Sequence, residues 1–218
     1  MKSVTVRALT FMVALAILFS ACSADRPKAT QAASTAAADR DLAVVRSALP
    51  QADDVGRRGW MQVSSPREST DEFCPAVPRA SVANPPRASA NAVYRGSESK
   101  AGHVAQAASV RVHAFADDQQ ASDWLDAARN VAERCSGTSL DWGGGYTVVQ
   151  QPPSSAPPMA IDDSFAVTAV MSFNGLPLKG NWETIVARDG RFTIETASDT
   201  LSRSELLLIN TSGDLPPD

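Results

Sequence analysis

The sequence predicts an α+β fold, a mostly antiparallel central sheet flanked by helices in a single domain with one disulfide. Three observations predict it. Asp117 to Cys135 carries a helical apolar repeat between a capping carboxylate and a glycine. Trp182 to Thr196 reads as two strands joined at Asp189-Gly190. Cys74 and Cys135 form an even pair once Cys22 is assigned elsewhere.

Residues 1–21 explain that assignment. Lys2 and Arg7 precede an apolar run from Ala8 to Phe19, and Ser20-Ala21 lead into Cys22. A short positive region, a short apolar stretch and small residues before a cut site describe a secretory signal peptide. A membrane span needs about 20 apolar residues, more than this run holds. With a cysteine directly after Ser20-Ala21, the segment resembles a bacterial lipoprotein signal. Phe19 stands where leucine is commonest. The resemblance implies cleavage before Cys22 and a diacylglycerol on its thiol; the alternative is an ordinary signal peptide with an incidental cysteine.

Residues 22–38 are then the lipidated cysteine and a tether. Ser23 to Ala38 is almost all Ala, Ser and Thr with scattered charge and no large apolar side chain, so it is expected to be disordered; a helical alanine-rich stalk is the alternative, with Pro27 and the Ser and Thr content against a long one. Residues 39–218 make one ordinary domain, long enough to bury a core.

Within that domain Leu42, Val45, Ala48 and Leu49 recur at helical spacing until Pro50. Asp53 to Gly59 is a turn delivering Trp60. Pro66 to Pro86 is rich in Pro, Ser and Arg and is read as an irregular excursion holding Cys74. His103 to Phe115 alternates as a strand. In the following helix, capped by Asp117 or Asp118, Ala121, Trp124, Leu125, Ala128, Val131, Ala132 and Cys135 share a face, and Gly137 ends it. Gly143 to Gly145 is read as a flexible loop, flanked by Trp142 and Tyr146 at the mouth of any cleft. Thr147 to Gln150 and Ser164 to Phe173 are strands separated by a proline-rich connector, and Ser202 to Ile209 is a helix.

The chemistry is sparse. Formal charge is −4, and loss of Lys2 and Arg7 moves it to −6; no Lys/Arg block is present, so no nucleic-acid footprint exists. Attachment to a membrane would therefore be through lipid rather than basic-patch attraction. An even cysteine pair in an exported chain is most simply a disulfide, Cys74 to Cys135. His103 and His113, the only histidines, lie more than ten residues in sequence from any cysteine, and no zinc spacing appears. No Gly-x-Ser-x-Gly elbow or phosphate loop is found. Asp117-Asp118 and Asp162-Asp163 are the adjacent carboxylates, read as a helix cap and a pre-strand turn rather than a glycosidase pair. No catalytic, cofactor-binding or metal-binding residue is assigned, and ligand-binding residues stay open.

The order of parts is distinctive. A helix, a Gly-Trp turn, Cys74 in a polar excursion, the strand ending Val110-Arg-Val-His-Ala-Phe115 and the 118–135 helix ending at Cys135 resemble the PknH-like extracellular sensor-domain family, here as a free-standing actinobacterial lipoprotein. The resemblance covers about residues 40–210. It implies a helix-flanked antiparallel sheet, a cleft for a ligand, no established catalysis, and one family disulfide at Cys74 and Cys135. A second cysteine pair, which many members carry in the late hairpin, is absent between Trp182 and Thr196. The expected function is a cell-envelope lipoprotein, lipid-anchored on the extracytoplasmic face of the cell membrane. Its non-catalytic domain would bind a small ligand or an envelope protein. Alternatives are a lipid carrier, which needs a large apolar cavity, an envelope hydrolase acting on wall glycan or ester, and a purely structural protein.

Overall fold

The computed structural model describes residues 27–56, 59–63, 85–97, 103–104, 106–156 and 161–216. Two compact units divide at Asp39 and Arg40, and the second, Arg40–Asp218, carries the sheet. Its ten strands are β1 (Trp60–Val63), β2 (Ala88–Gly96), β3 (Ala107–Ala114), β4 (Ser139–Gly143), β5 (Tyr146–Gln150), β6 (Ser154–Ser155), β7 (Asp163–Phe173), β8 (Leu176–Pro177), β9 (Trp182–Asp189) and β10 (Phe192–Ser198). The helices are α1 (Pro27–Ser47), α2 (Asp118–Cys135) and α3 (Leu201–Gly213). The order across the sheet is β1-β2-β3-β10-β9-β7-β5-β4, with β6 and β8 paired to β7. Among the described residues every strand pair is antiparallel, so the expected α+β class holds.

Alternation along the strands divides the core in two. Ala92 and Tyr94 of β2, Val110 and Val112 of β3, Ile185 and Ala187 of β9 and Phe192 and Ile194 of β10 face one way. They pack with Val45 of α1 and Leu207 and Leu208 of α3. The opposite face carries Phe165, Val167 and Val186, covered by Leu125 and Ala132 of α2. A third cluster, Val104, Val148, Ala169 and Met171, continues that second face toward the β5 end of the sheet.

Several elements differ from the sequence-based reading. α1 starts at Pro27, so Pro27 to Ala38, expected to be disordered tether, is helical, because an alanine-rich run has the highest helix propensity available. Five strands lie where none was expected: β1, β2, β4 and the two-residue β6 and β8. β3 starts at Ala107, and His103 makes only an isolated bridge to Lys179. The β9–β10 turn is Gly190-Arg191, one position later than expected, since Asp189 pairs with Phe192. Gly190 takes φ of 53°, the conformation a two-residue hairpin demands and a side chain resists. Cys22 and Cys74 lie outside the described residues; Cys135 is buried at the end of α2.

Candidate functional site

The sheet face that carries α2 is also the face on which polar side chains gather. α2 forms because Asp117 caps it: its carboxylate accepts the Gln120 N–H at 2.9 Å. The cap is thus Asp117, and its expected structural role holds. Ala121, Leu125, Ala132 and Cys135 fall on the buried side. Arg129 fixes the helix laterally, donating to both oxygens of Asp163 at 3.0 and 3.1 Å and lying 5.4 Å over the Phe165 ring. Gln150 donates to the Ala132 carbonyl at 3.0 Å, satisfying an end-of-helix acceptor that burial would otherwise strand.

The N-terminal half of α2 sets Trp124 against β3. Its ring lies 5.1 Å from His113 and 6.0 Å from Phe115. His113 Nδ1 and the Ser89 hydroxyl of β2 are 2.7 Å apart. Burial, then the Arg111 guanidinium, pushes the His113 pKa down to about 4, so the ring is neutral at pH 7. Register places Ser89, His113, Thr193, Arg188 and Asp163 in one row across β2, β3, β10, β9 and β7. The next row is Asn91, Arg111, Glu195, Val186 and Phe165. α2 covers the Val186–Phe165 end of that row. At the other end Asn91, Arg111 and Glu195 are partly exposed, with Arg111 Nη1 and Glu195 Oε2 3.8 Å apart.

The candidate site is therefore a shelf of sheet beside α2, walled by Trp124 and His113 and floored by Asn91, Arg111 and Glu195. It offers one ion pair, an amide and a hydroxyl beside aromatic surface. That set suits a small polar ligand with an apolar side.

This arrangement of helices on an antiparallel sheet has a counterpart among solved structures. The fold is similar to that of the extracellular domain of PknH from Mycobacterium tuberculosis. The TM-score is 0.55 with 11% identity, over 79% of this chain and 94% of that one. No family model matches the sequence, and no curated protein matches it. At 11% identity the likeness to PknH is one of fold.

Other residues singled out in the sequence fall away from the shelf. Asp162 is tied to Arg188 at 3.0 Å and to the Gly190 N–H at 2.9 Å, and Asp163 is held by Arg129. Asp162 lies in the turn before β7, as expected, and Asp163 opens the strand itself. His103 is exposed. Gly143, Gly144 and Gly145 form the tight β4–β5 turn, with φ of 80°, 61° and 86°. Tyr146 stacks at the sheet's end against Phe173, centroids 4.8 Å apart, and takes no part in the shelf. Among the described residues no group of three or more His, Cys, Asp or Glu side chains is placed to hold a metal ion.

Asn91, Arg111 and Glu195 were missed by sequence reasoning. Glu195 meets Arg111 only because β10 pairs with β3, a long-range register. The one local signal was the alternation of Ala88, Ala92 and Tyr94, which turns Ser89 and Asn91 to the other face.

Proposed function

We propose that the chain is a cell-envelope lipoprotein whose Arg40–Asp218 domain is a non-catalytic, sensor-like module on the extracytoplasmic side. The shelf of Asn91, Arg111 and Glu195 beside α2 receives its ligand. The observation that carries this reading is the fold likeness to an extracellular domain, joined to the signal sequence ending at Cys22. The lipid on Cys22 holds the domain at the membrane, and a Cys74–Cys135 disulfide closes the excursion onto the end of α2. A non-catalytic role fits the shelf's chemistry. A histidine with its pKa near 4 is a weak base at neutral pH, and its Nδ1 already faces Ser89.

The test is nuclear magnetic resonance of the mature chain titrated with fractionated envelope extract. Shifts should cluster at Asn91, Arg111 and Glu195 and vanish in Arg111→Ala. Shifts confined elsewhere would remove the shelf from consideration. Hydrolysis of wall-glycan or ester substrates that disappears in His113→Gln would overturn the non-catalytic reading. Mass spectrometry of the mature N-terminus should find an acylated Cys22.

A further inference from the structure

Three apolar side chains stand exposed together at the β5–β7–β8 end of the sheet: Tyr146, Phe173 and Leu176, with Leu176 72% exposed. Their neighbourhood is specific to two turns. Gly143 to Tyr146 closes the β4–β5 hairpin, and Phe173 to Leu176 closes the β7–β8 hairpin. The Asn174 N–H donates to the Gly145 carbonyl at 2.8 Å, bracing one turn on the other. Tyr146 pairs with Phe173 across the strands, and Phe173 with Leu176. Alternation therefore puts all three on one face, continuous with Val148 and Met171 of the third core cluster. The apolar interior thus runs out to an uncovered point.

We propose that this braced pair of turns is a membrane-contacting tip, seating Tyr146, Phe173 and Leu176 in the headgroup region of the bilayer to which Cys22 is anchored. The proposal rests on the lipid-anchor reading and adds a second contact to it. Two observations select a bilayer as the occupant. Tyrosine beside phenylalanine and an exposed leucine is the composition of an interfacial anchor, one polar end among apolar bodies. The side chains sit on tight turns, so a small point rather than a broad flat surface is presented, which suits shallow insertion better than docking of a second folded chain. The nearest carboxylate in sequence, Asp141, is turned onto the Gly143 N–H at 2.8 Å. An acidic neighbour favours a zwitterionic over an anionic surface.

The experiment places an environment-sensitive fluorophore at Leu176→Cys in the lipidated mature chain bound to phosphatidylcholine vesicles. The emission should shift to the blue, and lipid-borne spin labels should quench it. The same probe at Ser202→Cys, on the exposed side of α3, should stay aqueous. Replacing Tyr146 and Phe173 with Ser should abolish the shift at 176. A probe at 176 that stays aqueous on vesicle-bound protein overturns the tip. So does a blue shift without lipid that grows with protein concentration, which would mean self-association. If Cys22 carries no lipid, the anchor reading fails alone. The chain held through an N-terminal histidine tag on nickel-chelating lipid then puts the tip to the same test.

Discussion

Asp41 of α1 and Arg191 of the β9–β10 turn, 150 positions apart in the chain, meet at 3.0 Å. Arg191 also donates to the Phe115 carbonyl at 3.1 Å and lies 4.5 Å over the Phe192 ring. The Phe115 N–H in turn donates to the Arg191 carbonyl at 3.0 Å. One residue therefore joins the first helix, the end of β3 and the late hairpin. Asp41 is buried, and its second oxygen has no hydrogen-bond partner among the described residues. Arg191 is the basic side chain that meets it. Removing one partner of such a pair should cost more than removing both. Urea denaturation should show Arg191→Ala less stable by about 2–3 kcal/mol. The double variant with Asp41→Ala should lose less than the sum of the two single losses. Additive losses would mean the two side chains act independently.

His113 gives the fold a defined acid sensitivity. Its pKa is about 4 when folded, against an ordinary 6.5 for histidine. Between those values the unfolded chain binds a proton that the folded chain does not. Stability is therefore complete above pH 6.5 and falls as pH drops toward 4. The loss should be about 2 kcal/mol, less than the full linkage because the ring is partly exposed. Urea midpoints at pH 7 and 4.5 measure it, and His113→Gln should flatten the difference. Trp124, 5.1 Å from the ring, supplies the reporter: its emission should change over the same window. A parent and variant that weaken equally would acquit His113.

Tyr94 titrates in the other direction. It is fully buried, its hydroxyl donates to the Pro50 carbonyl, and burial pushes its pKa up to about 12. The unfolded chain loses this proton first, so stability falls as pH rises above 10. Tyr94→Phe should cost about 1 kcal/mol at pH 7. It should also remove part of the alkaline loss, read by thermal denaturation at pH 8 and 10.5.

What was legible in the sequence follows from how local each signal is. α2 declared itself because cap, apolar repeat and terminating glycine lie within some twenty residues. β7, β9 and β10 are long, β-branched and apolar. β2 was invisible because Ala88-Ser-Ala-Asn-Ala has little strand propensity; its neighbours β1 and β3 impose the conformation. The one-residue displacement of the β9–β10 turn reflects a glycine needed at the first turn position rather than the second. His113 was rightly read as a sheet-face residue. Its aromatic neighbour Trp124 and the Arg111–Glu195 pair required the tertiary packing of α2 and the β3–β10 register.

The cysteine pairing has a direct consequence for α2. Cys135 is buried at the last turn of the helix, where Gln150 already holds the Ala132 carbonyl. A bridge to Cys74 would close a loop of about 60 residues and limit the unfolded chain, a stabilisation of up to ~4 kcal/mol in the chain-entropy model. Reduction should lower the melting temperature, and Cys74→Ser should melt at the reduced parent's temperature under oxidising conditions. An unchanged melt would remove the disulfide from the fold.

The brace between the two tip turns depends on the absence of a side chain at Gly145. Its φ is 86°, and a Cβ there would stand 2.3 Å from Asn174 Oδ1. Asn174 itself holds φ of 49°, a conformation asparagine tolerates and most residues do not. Gly145→Ala therefore meets two separate obstacles, backbone strain and a collision. The cost should be about 2 kcal/mol, concentrated in faster amide exchange at Asn174. Adding Asn174→Gly removes the collision and leaves the strain, so the double variant should recover about half of the loss. If the double variant is no more stable than Gly145→Ala alone, the collision contributes nothing, and backbone conformation by itself sets the need for glycine.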